Sequence, residues 1–197
     1  HAIAYEQLAI DLTAILAKRE KDPYVKKALD FALLEDFDHL YRFANLLELE
    51  QGIKAEYLVG RYTEIMPGRP TISHHRFPKD NVKYSLDCKN CDVQTVLNTM
   101  IITAAEQQTM NYYMNIANFG QNDLSRRLYE EIAHVEEEHV TMYESLIDPT
   151  ESLYEKLLIH EFTEVCNYYT CVEDEVDEKL KKIWEFMLDV EIGHLNT

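Results

Sequence analysis

Glycine and proline are scarce in this chain, with five of each in 197 residues. Long stretches therefore run without a residue that breaks regular structure, and no strand pattern of real length appears. Cysteine is also rare: the four present could form two disulfides at most, whereas a 46% hydrophobic content at this length supports an ordinary core. Neither disorder nor dependence on disulfides is called for. Basic residues are outnumbered, 19 Lys and Arg against 36 Asp and Glu, for a formal charge of −17. A phosphate backbone or an anionic membrane needs a basic face to bind it, so nucleic acid and membrane surfaces are poor partners. No run of about 18 apolar residues exists, and the start at His1-Ala2-Ile3-Ala4-Tyr5-Glu6 lacks a basic n-region. The expectation is a soluble, cytoplasmic protein of one domain or one and a half.

What is present is helical periodicity. Apolar residues recur at three and four, and six helices are predicted. The first runs from about Ile3 to Glu20. Asp22 then caps the second, with Pro23 in its first turn, and that helix continues to Gly52. The stretch from Ile53 to Cys91 is irregular, with a short helix around Ala55 to Tyr62, and it holds the cluster His74-His75-Arg76. The third helix spans about Val93 to Phe119 and stops at Gly120-Gln121-Asn122-Asp123, after which the fourth runs to Ile147. After Asp148-Pro149-Thr150 come a fifth helix from Ser152 to Val172 and a sixth from Val176 to His194. Short turns make successive helices antiparallel neighbours, so the class is all-α, with three helix hairpins and a long crossover between helices two and three.

The fourth helix carries Leu128, Tyr129, Ile132, Ala133, Tyr143 and Leu146 on one face, and Glu136 and His139 point from the middle of it. A carboxylate in a core is costly unless it is paired or binds metal, and a His three residues on shares its helical side. The sixth helix repeats the motif as Glu191-Ile192-Gly193-His194. Each has a partner thirty residues upstream, Glu106 for Glu136 and Glu161 for Glu191. The first hairpin offers a looser copy, Glu6 with Glu35 twenty-nine residues on. There the three-residue step lands on Asp38, yet the helical angle favours His39 as the inward group. The carboxylates fall at similar heights above their turns, and among inward neighbours only Arg42, near Glu35, is basic. Structural ion pairs therefore explain three copies poorly. Four inward Glu and two His at one level can hold two iron or manganese ions in a bundle core.

These residues, Glu6 with Glu35, Glu106 with Glu136-Glu137-Glu138-His139, and Glu161 with Glu191-Ile192-Gly193-His194, resemble the ferritin-like di-iron carboxylate superfamily and its rubrerythrin-like branch. The resemblance implies a ferritin-like four-helix bundle over residues 1–148, with crossover 53–91, and an additional hairpin over 149–197. It implies a site of Glu6, Glu35, His39, Glu106, Glu136 and His139, with Glu35 and Glu136 bridging and Glu6 and Glu106 capping. The last hairpin, with Glu161, Glu191 and His194, either closes a bundle with helices three and four or pairs with its copy in another subunit. Glu164 resembles the extra carboxylate of some rubrerythrin-like sites. A rubredoxin domain is absent: Cys88-Lys89-Asn90-Cys91 stands alone, and Cys166 and Cys171 have a different spacing.

Glu-rich, His-poor ligation suits Fe(II) or Mn(II). The function implied by the resemblance is a non-haem di-iron oxidoreductase that reduces peroxide or activates O2, served by an electron-donor protein and built as a homodimer or higher homo-oligomer. The alternatives are ferroxidase and iron storage or delivery, and a metal-free helical interaction module. Tyr112, Tyr113, Tyr168 and Tyr169 are core aromatics by default, Tyr113 standing closest to Glu106 in angle.

Overall fold

The computed structural model describes residues 1–54, 57 and 78–197, at 78 and 79 for the backbone alone. The predicted short helix at Ala55 to Tyr62 falls almost wholly outside these residues, and His74-His75-Arg76 entirely so. Among the described residues there is no strand, and six long helices carry the fold: α1 (Ala2–Arg19), α2 (Pro23–Gln51), α3 (Val93–Ile116), α4 (Asp123–Glu144), α5 (Leu153–Asp174) and α6 (Glu178–Leu195). A single helical turn at Pro78–Asn81 and a 3-10 turn at Ala117–Phe119 complete them. No described helix is long and apolar enough to cross a membrane. The chain divides into two compact units, His1–Ile147 and Asp148–Thr197.

Local chemistry sets the helix ends. Asp22 accepts from the backbone N–H groups of Tyr24 and Val25, and Pro23 occupies the first turn, where no N–H is needed. Gly52 stops α2 in the left-handed region at φ 64°, a conformation that costs a residue bearing a Cβ about 1 kcal/mol or more. Asn122 and Ser125 cap each other's backbone at the start of α4, as Ser152 and Glu155 do at the start of α5.

In the first unit α1 packs on α2 and α3, and α4 packs on α2 and α3, so the four helices close a ring. Contacts along the ring give the directions. Glu20, at the C-terminal end of α1, accepts from Thr95 Oγ1 at 2.6 Å and Asn98 Nδ2 at 2.7 Å near the start of α3. Near the other end of α1, Glu6 meets Tyr113 late in α3. Asn122, capping α4, donates to Glu50 at the end of α2 at 2.6 Å. Ring neighbours are therefore antiparallel. The chain leaves α2 at one end of the ring and enters α3 at the other.

Two apolar layers fill this bundle. One contains Ile3, Ile10, Leu40, Phe43, Tyr113 and Ile132, and the other contains Leu16, Val25, Leu29, Ala32, Ile102, Met142 and Leu146. Each fully buried Leu or Ile contributes about 1.5–3 kcal/mol. Between the layers each helix brings charged side chains inward: Glu6 on α1, Glu35, Asp36 and His39 on α2, Glu106 on α3, Glu136 and His139 on α4, all at most 1% exposed.

The second unit is a hairpin of α5 and α6, turned by Glu175-Val176-Asp177. Glu175 accepts from Trp184 Nε1 at 3.1 Å, and Asp177 caps α6.

Candidate metal centre

The charged layer of the first unit is organised around two imidazoles. His139 places Nδ1 3.0 Å from Glu136 Oε2, 3.6 Å from Glu106 Oε2 and 3.8 Å from Asp36 Oδ1. Its other nitrogen, Nε2, lies 2.8 Å from Glu35 Oε2. His39 places Nδ1 2.9 Å from Glu136 Oε1 and 3.7 Å from Glu6 Oε2, and the two rings are 6.0 Å apart between centroids. Glu136 thus reaches both imidazoles, one with each oxygen. Two sets of ligand atoms lie within a cation's reach, each set mutually within 4.8 Å: Asp36, Glu106, Glu136 and His139 in one, Glu6, Asp36 and His39 in the other. Asp36 belongs to both.

These groups reach the same space because residues three or four apart share a helical face. That rule also corrects the sequence reading of α2. The carboxylate three residues before His39 is Asp36, so the motif is Asp36-Phe37-Asp38-His39, in step with Glu136 to His139. Glu35, expected to bridge, enters neither set and instead sits on the far side of the His139 ring. Asp38 turns toward Arg42, at 3.8 Å, and Arg42 reaches on to Glu131 at 2.9 Å, so this cation is engaged outside the two ligand sets. Helical periodicity does not single out Asp36, although it lies thirty residues after Glu6, the spacing of the other two hairpins. Thr13, also unanticipated, donates to Asp36 Oδ2 at 3.2 Å. Tyr113 faces Glu6 across the bundle rather than Glu106 on its own helix, and its hydroxyl donates to Glu6 Oε1.

Electrostatics show how much strain the layer carries. Five carboxylates face two imidazoles, so even with both rings protonated an excess of three negative charges would be buried. Burying an unpaired charge costs several kcal/mol, which the fold meets with protons when no cation is present. Burial drives the Glu106 carboxyl up to about 7, Glu136 adding to the rise and His139 opposing it. Burial also raises Glu6, and it lifts Asp36 well above its ordinary range with help from Glu106. For Glu136 burial pushes upward too, but His39 and His139 outweigh it and hold the carboxyl below its ordinary range. Burial disfavours charge on both imidazoles, yet Glu136 and Glu6 around His39, and Glu106, Glu136 and Glu35 around His139, leave them well above theirs.

The donor set can hold a metal ion. Glu6 Oε2, Asp36 Oδ1 and Glu106 Oε1 are buried and accept no hydrogen bond among the described residues, and each belongs to a residue of the two sets. Excess negative charge, oxygen-rich ligands and two imidazoles suit a metal cation. The first unit therefore holds buried carboxylate and imidazole groups able to bind metal.

In the second unit Glu161, Glu191 and His194 form a third set. His194 Nδ1 stands 2.9 Å from Glu191 Oε2 and 3.6 Å from Glu161 Oε2, with the imidazole 57% exposed. The four cysteines enter none of the three sets. Compared with known proteins, the chain matches no family model, no curated protein and no solved structure.

Proposed function

We propose that the first unit is a carboxylate-bridged dimetal centre, similar to those of the ferritin-like superfamily and its rubrerythrin-like branch, acting as an oxidoreductase on peroxide or O2. One observation carries this reading: two buried ligand sets, drawn from four helices, share Asp36 and are linked again through Glu136. Asp36, Glu106, Glu136 and His139 would hold one ion, and Glu6, Asp36 and His39 the other. Iron in these positions would supply reversible redox change and Lewis acidity, with manganese a possible replacement.

The protein's own groups complete the arrangement. Glu35 fixes the His139 ring through Nε2, which leaves Nδ1 aimed at the layer, the pattern by which an outer carboxylate orients a ligating imidazole. Tyr113 does the same for Glu6 by donating to one oxygen and leaving the other turned to His39. The apolar layers on both sides exclude bulk water, which strengthens every charge interaction between them. Tyr143 is fully buried, its hydroxyl has no hydrogen-bond partner among the described residues, and it lies within electrostatic reach of Glu106 and Asp36. Its O–H is available to a small oxygen substrate. Glu106, titrating near neutrality, can hold or release a proton at working pH. Reducing peroxide to water takes two electrons and two protons; the electrons come from a donor protein, and Glu106 is placed to relay protons.

The test is anaerobic Fe(II) loading of the purified chain, elemental analysis, and peroxide consumption with a chemical reductant. About two ions in this unit and reductant-dependent turnover are expected. Retained iron with O2 consumption but no peroxide turnover, in a large hollow assembly, would shift the assignment to iron storage. No bound metal at all would sink the dimetal reading.

A further inference from the structure

The second unit repeats half of the first. In the first unit, hairpin α1–α2 contributes Glu6, Asp36 and His39, and hairpin α3–α4 contributes Glu106, Glu136 and His139. Each hairpin gives one carboxylate from its first helix and, thirty residues on, an acid-x-x-His pair from its second. The two half-sets bury each other completely. Hairpin α5–α6 carries the same half-set at the same thirty-residue interval, Glu161 with Glu191 and His194, and its ligand atoms are already gathered.

Two observations show that this half-set lacks its complement. No Lys or Arg among the described residues pairs with Glu161 or Glu191, whose side chains are only 21% and 17% exposed; their polar partner is His194. The apolar residues around them are exposed or only partly covered. On the ligand-bearing faces Tyr154 is 82% exposed, Leu157 53%, Leu158 56% and Ile183 52%. In the whole unit only Asp148 and Thr163 are buried. A fifty-residue hairpin without one buried apolar side chain is only marginally stable by itself.

We infer that α5–α6 of one chain pairs with α5–α6 of a second copy, forming a four-helix bundle with a further dimetal site at its centre. Each copy supplies Glu161, Glu191 and His194, which together reproduce the two-fold donor set of the first unit. A second copy is the occupant because the other two ligand-bearing hairpins are consumed by each other. The remaining described hairpin with a matching half-set is this one in another chain, and a two-fold axis makes the same patch serve both sides. The metal is of the same chemical class, a divalent cation preferring oxygen and one imidazole nitrogen. The site stands whether or not the first centre performs redox chemistry.

The test uses the full chain, stripped of metal, with Co(II) as the probe. Sedimentation is followed with and without Co(II), and bound cobalt is counted by elemental analysis. The double variant Glu191→Ala with His194→Ala removes two partly exposed side chains, so the helices should survive, which circular dichroism checks. The wild-type chain should dimerise with Co(II), and the double variant should lose about one ion per chain and at least about tenfold in dimer affinity. Asp36→Ala with His39→Ala should lose cobalt from the first unit yet still dimerise with Co(II), which separates failure of this inference from failure of the first centre. Leu157→Asp should abolish dimerisation by charging the apolar face. A wild-type chain that stays monomeric at saturating Co(II), or a double variant that matches it in cobalt content and dimer affinity, would overturn the proposal.

Discussion

Replacing Glu106 with Gln keeps nearly the same shape and removes one ionisable group from a place where the fold suppresses ionisation. Glu106 is 1% exposed and titrates at about 7 instead of 4.5. At about 1.4 kcal/mol for each pH unit of that rise, the metal-free folded chain is about 3 kcal/mol less stable above neutrality than it would be with an ordinary carboxyl. The sign follows from proton counting. Well below pH 4.5 the carboxyl is protonated in folded and unfolded chains alike, so it contributes nothing. Between 4.5 and 7 the unfolded chain has released the proton while the folded chain retains it, and stability falls as pH rises. Gln has no such dependence.

In chelator, the stability of Glu106→Gln relative to wild type should therefore improve by about 2–3 kcal/mol between about pH 5 and about pH 8.5. For a chain of this size that is a relative gain in Tm of about 5–10 °C. Thermal melts followed by circular dichroism at both pH values measure it. Adding Fe(II) or Mn(II) anaerobically should reverse the order, because wild type gains binding energy through a ligand that the variant has weakened. Parallel pH profiles for the two metal-free proteins would refute the reasoning: Glu106 would then ionise as freely in the fold as in water, and no cation would be needed to relieve it.

Glu35→Ala should leave both ligand sets in place yet weaken metal binding by about 10–100-fold, since the His139 ring loses the carboxylate that orients it; competition against a chelator reads this directly. Tyr143→Phe removes a buried hydroxyl that has no partner among the described residues, so urea denaturation should show a stability change of less than about 1 kcal/mol or a small gain, while peroxide turnover falls. A loss of several kcal/mol would mean that the hydroxyl is bonded after all. Glu20→Ala strands Thr95 Oγ1 and Asn98 Nδ2 at the α1–α3 junction and should cost about 1–3 kcal/mol in the same assay, with metal content unchanged.

The helices were legible because their determinants are local. Asp22-Pro23, Gly52 and the reciprocal cap of Asn122 and Ser125 act through backbone groups within one turn, and the apolar period marks which face turns inward. The inward acids on α1, α3 and α4 were legible for the same reason: Glu6, Glu106 and Glu136 each stand alone among apolar neighbours on their face. On α2 the run Glu35-Asp36-Phe37-Asp38-His39 places three acids within four positions, and periodicity of 100° cannot rank neighbours whose side chains all reach a four-helix interior. Their roles separate only through partners on other helices. Glu35 turns to His139 on α4, Asp38 pairs with Arg42 one turn along its own helix, and Asp36 is left at the centre, held by Thr13 on α1.

One signal within the chain could have made that choice. A helix pair that repeats a half-site must keep its ligands at one height, so the interval between the two acids is a structural constant of the hairpin. Thirty residues in two hairpins required thirty in the third, and Glu6 then points to Asp36 rather than Glu35. The same constant selects Glu161 with Glu191, although nothing in the second unit buries them as the first unit buries its own. Spacing thus identifies a half-site, whereas burial identifies a completed one. The difference between the two units on that second measure is what a metal-dependent dimer of α5–α6 would remove.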